Sequence, residues 1–354
     1  MHKEKKWLTG VLIMLIAALA AIMGLVIAVD PYFHYHAPLG QRQYTLNNER
    51  YQNNGIVKHF QYDAIITGSS MTENFKTSEF DALFGVHSIK VPFAGGSLKE
   101  AGDNLRVAFE SNPNIRLVLR SIDYDALWED KDAINYDEKS YPKYLYDDNP
   151  LNDVSYIFNT EVIMAAVQNL IGIDADGPIE MSFDKYAAWN RTLGLNAIKY
   201  NYHRDAVTRA ESEALFTDEE RETITGNLNQ NLISIAREHP DCQFVVFISP
   251  NSICSMDYAK LEGRLKKQFE AERFITEKLM AEENIRVFSF FDQTDLITNT
   301  DNYCDVAHYS PAVSSQLMAW MAQGVGEKTP DNIDSYFEAE YDYYMNYDYD
   351  SIYQ

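Results

Sequence analysis

The sequence predicts an α/β protein: a parallel, doubly wound sheet of about five strands with helices on both faces, a long insertion after the third strand, and one N-terminal transmembrane helix. Three observations predict it. From residue 61 onward, short apolar and β-branched runs alternate with helical segments, the signature of βαβ units. That alternation lapses between Asp123 and about Thr217 and then resumes. The chain also opens on an apolar run long enough to cross a bilayer.

Residues 1–6 are net basic, with Lys3, Lys5 and Lys6 against Glu4. Trp7 to Val29 then continues for about 23 uncharged residues, roughly 35 Å of helix against a hydrocarbon core of about 30 Å. The lysines predict a cytoplasmic N-terminus and an extracytoplasmic remainder, at the plasma membrane. A cleaved signal peptide is the alternative, with Ala18-Leu19-Ala20 as its site, but the apolar run continues past it. Residues 30–60 form an aromatic, polar lead-in. Its His34-x-His36 pair has no partner cluster, so packing rather than metal binding is expected.

The net charge of −23, with 53 acidic residues against 30 basic ones, excludes a basic stripe for nucleic acid. Cys242, Cys254 and Cys304 lack metal spacing; a Cys242–Cys254 bridge stays open. No cofactor motif is present.

Tyr62 to Thr67 reads as the first strand, ended by Gly68, with Ser69 and Ser70 delivered to the C-terminal edge of the sheet, where ligands bind. A helix follows near Ser78 to Phe84, then a strand from His87 to Phe93. Ser97 and Glu100 form a capping box for a helix to about Ser111. Ile115 to Ile122 is the third strand. The insertion, about residues 123–217, carries helical candidates at Val154 to Ile171 and Phe183 to Leu193. It is expected to act as a lid or binding wall, with Trp128, Tyr141, Tyr144, Tyr146 and Trp189 available to stack on sugar rings or to build its own core. Thr217 caps a helix to about His239. Gln243 to Ser249 is the fourth strand, Asp257 to Glu283 a charged helix, Ile285 to Phe290 the fifth strand, and Ala312 to Met321 the last helix. Residues 327–354 alternate Tyr with Asp or Glu and read as a disordered or loosely docked acidic tail.

A serine near neutral pH needs a base, and the base needs an orienting group. Asp305 and His308 stand three residues apart just before the last helix. That spacing folds a carboxylate onto one imidazole nitrogen and leaves the other for Ser70.

Gly68-Ser69-Ser70-Met71-Thr72 resembles the first block of the SGNH (GDSL-like) hydrolase superfamily, with Ser69 where the usual Asp stands. Phe93-Ala94-Gly95-Gly96-Ser97 resembles its second block and Asp305-x-x-His308 its last. The resemblance covers about residues 61–326 and implies a flavodoxin-like fold and a Ser70, His308, Asp305 triad. It also implies an oxyanion hole from the amides of Ser70 and Gly96. The third block departs: after the third strand stands Ser121-Ile122-Asp123-Tyr124, without the expected Asn, so Asn74 or the Ser121 hydroxyl is a candidate replacement.

With its single anchor, the chain is similar to accessory proteins of cell-envelope O-acetylation and teichoic-acid D-alanylation. That likeness implies a serine esterase or O-acyltransferase, an envelope polysaccharide or acylated polymer as substrate, and a multi-pass membrane acyltransferase as partner. The competing expectation is a catalytically inactive envelope protein that binds glycan or such a partner. A phosphate or nucleotide site is the weakest reading, because Gly68-Ser69-Ser70 lacks the glycine spacing of phosphate loops.

Overall fold

Ala64–Gly68 (β1), Ser88–Pro92 (β2), Leu117–Ile122 (β3), Gln243–Ile248 (β4) and Ile285–Phe288 (β5) pair in parallel, and Glu327–Lys328 (β6) adds an antiparallel edge. The strand order is β2-β1-β3-β4-β5-β6. Ile65 stands opposite Ile89 on one side and Val118 on the other, and β1, β2 and β3 are buried throughout. Burial on both faces explains why these strands read as continuous apolar runs rather than alternating ones.

The computed structural model describes residues 2–137, 141–147 and 149–353. The helices of eight or more residues are His2–Val29 (α1), Glu49–His59 (α2), Thr77–Phe84 (α3), Leu98–Ser111 (α4), Thr160–Ile171 (α5), Asp218–Leu228 (α6), Ile253–Leu261 (α7), Leu265–Met280 (α8), Pro311–Gln323 (α9) and Ile333–Met345 (α10). The capping boxes at Ser97 with Glu100 and Thr217 with Glu220 are both formed. The charged helix predicted from Asp257 to Glu283 is two helices, broken at Gly263 (φ +65°), where a Cβ would lie 2.5 Å from the Ser212 carbonyl oxygen. The helix expected from Phe183 to Leu193 is a series of turns, with Ala187 at positive φ, and helix starts only at Leu195.

The chain divides into two units: Met1–Gln61 with Asp137–Ser182, and Tyr62–Tyr136 with Phe183–Gln354. The predicted insertion is thus shared, about half of it, Asp137–Ser182, folding with the N-terminal segment. In that unit α1 is 28 residues long, and its span from Glu4 to Val29 is long and apolar enough to cross a membrane. Asp30 ends it: its carboxylate accepts the backbone N–H groups of His34, Tyr35 and His36 and the Tyr156 hydroxyl. His34 bonds Asp153, and His36 bonds the Ala37 and Ile27 carbonyls, so the histidine pair is spent on structure. Tyr146 donates to the Arg50 carbonyl and Tyr144 packs beside Tyr156 and Leu145, so these aromatics build this unit's core.

The sheet unit holds the correction at the C-terminus. Residues 333–345 are helical, and Tyr336, Phe337, Glu340 and Tyr344 are buried. Tyr344 is fully buried, donates to the Phe291 carbonyl at 2.7 Å and meets Phe291 edge-on. The tyrosines that read as polar punctuation supply an apolar stripe at helical spacing, and their hydroxyls find carbonyls. Glu340 lies beside the equally buried Glu272, and burial raises the pKa of both, the carboxylate neighbour adding to it for Glu340.

Tyr344→Ala is therefore expected to cost about 3–5 kcal/mol, as for a large core aromatic. Chemical denaturation measures it; an unshifted midpoint would restore the loose-tail reading.

Candidate active site

β1 ends at Gly68, whose φ of +148° and close approach to Ser121 both require glycine: a Cβ there would collide with Ser121 Oγ. Ser121 is consequently walled in behind Gly68. Its hydroxyl is buried with no partner among the described residues, and it does not line the cavity. Beyond Gly68, Ser70–Thr72 forms one 3₁₀ turn rather than the start of a long helix, with the Ser69 hydroxyl accepting from the Met71 N–H. Phe75, stacked on Phe247 at 5.4 Å, anchors the chain just past that turn.

The His308 loop arrives from the other end of the chain. Tyr303 and Tyr309 bridge its base, and the Cys304 N–H donates to the His308 carbonyl. Tyr309 donates its hydroxyl to the Met71 carbonyl at 2.9 Å, tying the residue after His308 to the residue after Ser70. Across 238 positions of sequence, Ser70 Oγ and His308 Nε2 stand 2.8 Å apart. His308 Nδ1 lies 2.8 and 3.0 Å from the two Asp305 oxygens. Asp305 Oδ1 also accepts the backbone N–H groups of Ala307 and His308. Burial alone would raise the Asp305 pKa. The hydrogen bond and charge of His308, with the two backbone donors, outweigh it and hold the carboxyl down at about 2. The structure thus brings Ser70, His308 and Asp305 together in one hydrogen-bonded line.

Two buried cations brace the loops around this line. Lys90 of β2 donates its ammonium to the Glu73 carbonyl, just after the Ser70 turn. Arg120 of β3 donates to the Leu98 carbonyl at 2.8 Å, where the second glycine loop enters α4. Both are fully buried.

The cavity beside Ser70 holds about 200 Å³ and is lined by Gly96, Asp123, Asn135, Asn251 and His308 among others. Gly96 is where the sequence puts it, and a Cβ there would lie 2.6 Å from Phe93 Cβ. Its N–H, however, donates to the Phe93 carbonyl at 2.7 Å, so the tight turn that requires glycine also consumes the expected oxyanion donor. Asn74 is buried and does not line the cavity; its Oδ1 accepts the Trp189 N–H, and its Nδ2 has no partner among the described residues. Of the insertion's aromatics, Trp189 reaches the triad, its ring edge-on to His308 at 6.0 Å. Trp128 packs against Phe216 and Tyr124. The three cysteines are buried and unpaired, so the Cys242–Cys254 bridge is not formed.

Sequence reasoning passed over Asp123 and Asn251. Asp123 directly follows β3; it accepts from the Ser249 hydroxyl at 2.8 Å and from Ser69. Burial raises its pKa, against the lowering effect of these two hydroxyls and of His308. The signal for both was position: each follows a strand at the edge that carries Ser70.

No known family profile matches the chain, and no curated protein matches it. Among solved structures, one from Streptococcus pneumonia, provisionally named a platelet activating factor, is similar at 10% identity and a TM-score of 0.35. The match covers 81% of this chain and 90% of that one. A likeness that slight adds nothing to the geometry.

Because its pKa is lowered on folding, Asp305 contributes stability above about pH 4 that is lost as pH falls through about 2. Asp305→Asn should cost about 2 kcal/mol at neutral pH, with the gap to wild type closing on acidification. Denaturant melts at pH 7 and pH 3 measure it; a gap independent of pH would contradict the lowered carboxyl.

Proposed function

We propose that this chain is a membrane-anchored, extracytoplasmic serine esterase or O-acyltransferase of SGNH type, acting on cell-envelope polysaccharide through an acyl-enzyme. The observation that carries the reading is the line Ser70, His308, Asp305. The strand order supports a doubly wound, flavodoxin-like sheet with Ser70 at its switch point. The long apolar α1, behind a basic N-terminus, supports an anchor with the rest of the chain outside.

In the proposed cycle Ser70 Oγ attacks the ester carbonyl as His308 Nε2 takes its proton, and the oxyanion forms against the Ser70 amide. Collapse breaks the ester bond; the leaving alcohol takes the proton from His308 and the acyl group stays on Ser70. Water or a sugar hydroxyl then gives its proton to His308 and takes the acyl group. Asp305 holds the imidazole in the tautomer that both halves need. A cavity of about 200 Å³ favours a short acyl group. A multi-pass membrane acyltransferase supplying that group is the proposed partner.

One observation favours a non-catalytic, glycan- or partner-binding reading: the Gly96 amide is engaged and a carboxyl, Asp123, replaces the Asn. A fluorophosphonate probe discriminates. The full chain should be labelled, with labelling abolished by Ser70→Ala and by His308→Ala. Folded wild-type protein that resists the probe would favour the binding reading.

Asp123 also predicts a pH dependence. Neutral, its carboxyl can donate to the oxyanion; ionised, it opposes it, as at other buried catalytic acids. Burial and Asp125 favour the neutral form, while Ser69, Ser249 and His308 favour the ionised one. Wild-type acyl-enzyme formation should therefore fall as pH rises through this raised pKa. Asp123→Asn should lose that decline and exceed wild type above it by about tenfold or more, the scale of one oxyanion donor. Identical pH profiles would remove Asp123 from the oxyanion site.

A further inference from the structure

α5 is built inside out for a helix in water. Its buried positions are Val162, Ala166 and Asn169. The opposite face exposes Met164 (54%), Val167 (37%), Leu170 (44%) and Ile171 (62%). A surface helix ordinarily turns its polar side outward. Here the outward side is apolar, and Glu161 in the first turn is the helix's one charged residue. The apolar surface continues beyond the helix through Phe158 and Ile173.

The same unit supplies the reason. α5 packs against α1, and Val162 shares a cluster with Val26. Along α1 the covered positions are Ile22, Leu25, Val26 and Val29, one stripe on its last two turns, while nearly everything before them is bare. Tyr156, just before α5, donates to Asp30 at the end of α1. Arg42 donates to the Leu170 carbonyl, and the Thr45 N–H to Asn169. Both ends of α5 are satisfied internally, by the Asn159 side chain at its start and by the left-handed Gly172 at its close.

We propose that α5 is a membrane-embedded helix whose Met164, Val167, Leu170 and Ile171 face contacts the acyl chains and inner headgroup region of the extracytoplasmic leaflet. This rests on the reading that α1 spans the bilayer. If α1 crosses a hydrocarbon core of about 30 Å, its last two turns lie within that leaflet, and a helix packed on them lies at the same depth. The bare face of α5 is continuous with the bare apolar surface of α1, and capped ends leave no polar backbone to lipid. The anchor is then a wedge of two helices, which holds α1 against rotation and sliding.

The test uses the full-length chain in phosphatidylcholine vesicles. Single cysteines introduced as Ile13→Cys, Val167→Cys and Glu110→Cys carry an environment-sensitive fluorophore; the native cysteines are buried. Lipids spin-labelled along the acyl chain are the quencher. The expected result is quenching of at least twofold at positions 13 and 167, with position 110 unaffected. Quenching at 13 with none at 167 would overturn the proposal and leave the anchor intact. Quenching at neither would overturn the anchor and the proposal with it. Blue-shifted but unquenched emission at 167 would mean that a second copy of the chain covers this face, and would overturn contact with lipid.

Discussion

The hydrogen bond between Ser70 and His308 joins parts of the chain 238 residues apart, and several buried residues of the sheet unit hold the loops that bring them together. A parallel sheet puts all its strand ends on one edge, so both loops emerge there. Direction alone does not set distance. The Tyr309 hydroxyl on the Met71 carbonyl fixes the loops to one another, and the Asp305 carboxylate, filled by two backbone N–H groups and one imidazole, fixes the ring within its loop.

Buried cations carry the second part of this task. Burying an ammonium or a guanidinium costs several kcal/mol unless its donors are matched. Lys90 and Arg120 accept that cost on the central strands, each donating to a carbonyl in a loop that borders the cavity. Arg120 keeps two of its nitrogens without a protein partner, and burial lowers its pKa to about 10. An apolar residue at either position would fill the core more cheaply and would leave its loop unpinned. Glycine does the complementary work: Gly68 lets β1 approach Ser121, and Gly96 lets its loop close on Phe93.

The frame was legible where local chemistry and tertiary demand agree. The strands are buried on both faces and so announce themselves as apolar runs; the capping boxes at Ser97 and Thr217 are entirely local; Asp305 and His308 are close in sequence. Features that depend on partners far along the chain were not legible. Tyr336 and Tyr344 look polar until the ring of each is seen packed in the core. The stretch after Asp123 reads as one insertion because nothing in its composition says that Asp137–Ser182 folds with the N-terminal segment. Gly96 illustrates the subtler failure: the residue type was right, but the turn that selects it also consumes its N–H.

On the proposed function, the lining of the cavity would constrain the substrate further. Asp123, Asp125 and Glu129 line it, and among the described residues no lysine or arginine does. Burial raises the pKa of Glu129, whose Oε1 accepts from Asn135, another lining residue. Such a wall repels a phosphate or carboxylate held close to the scissile ester and offers acceptors to hydroxyls or to an ammonium group. A long acyl chain would find little room in a cavity of about 200 Å³. A neutral sugar hydroxyl bearing a short acyl group, or an aminoacyl ester with a free amine, meets complementary chemistry on every side. The same carboxyls would oppose an oxyanion whenever they ionise, so the proposed enzyme would gain substrate selectivity at the expense of transition-state stabilisation, as slow modification of a polymer would tolerate better than rapid turnover of small esters.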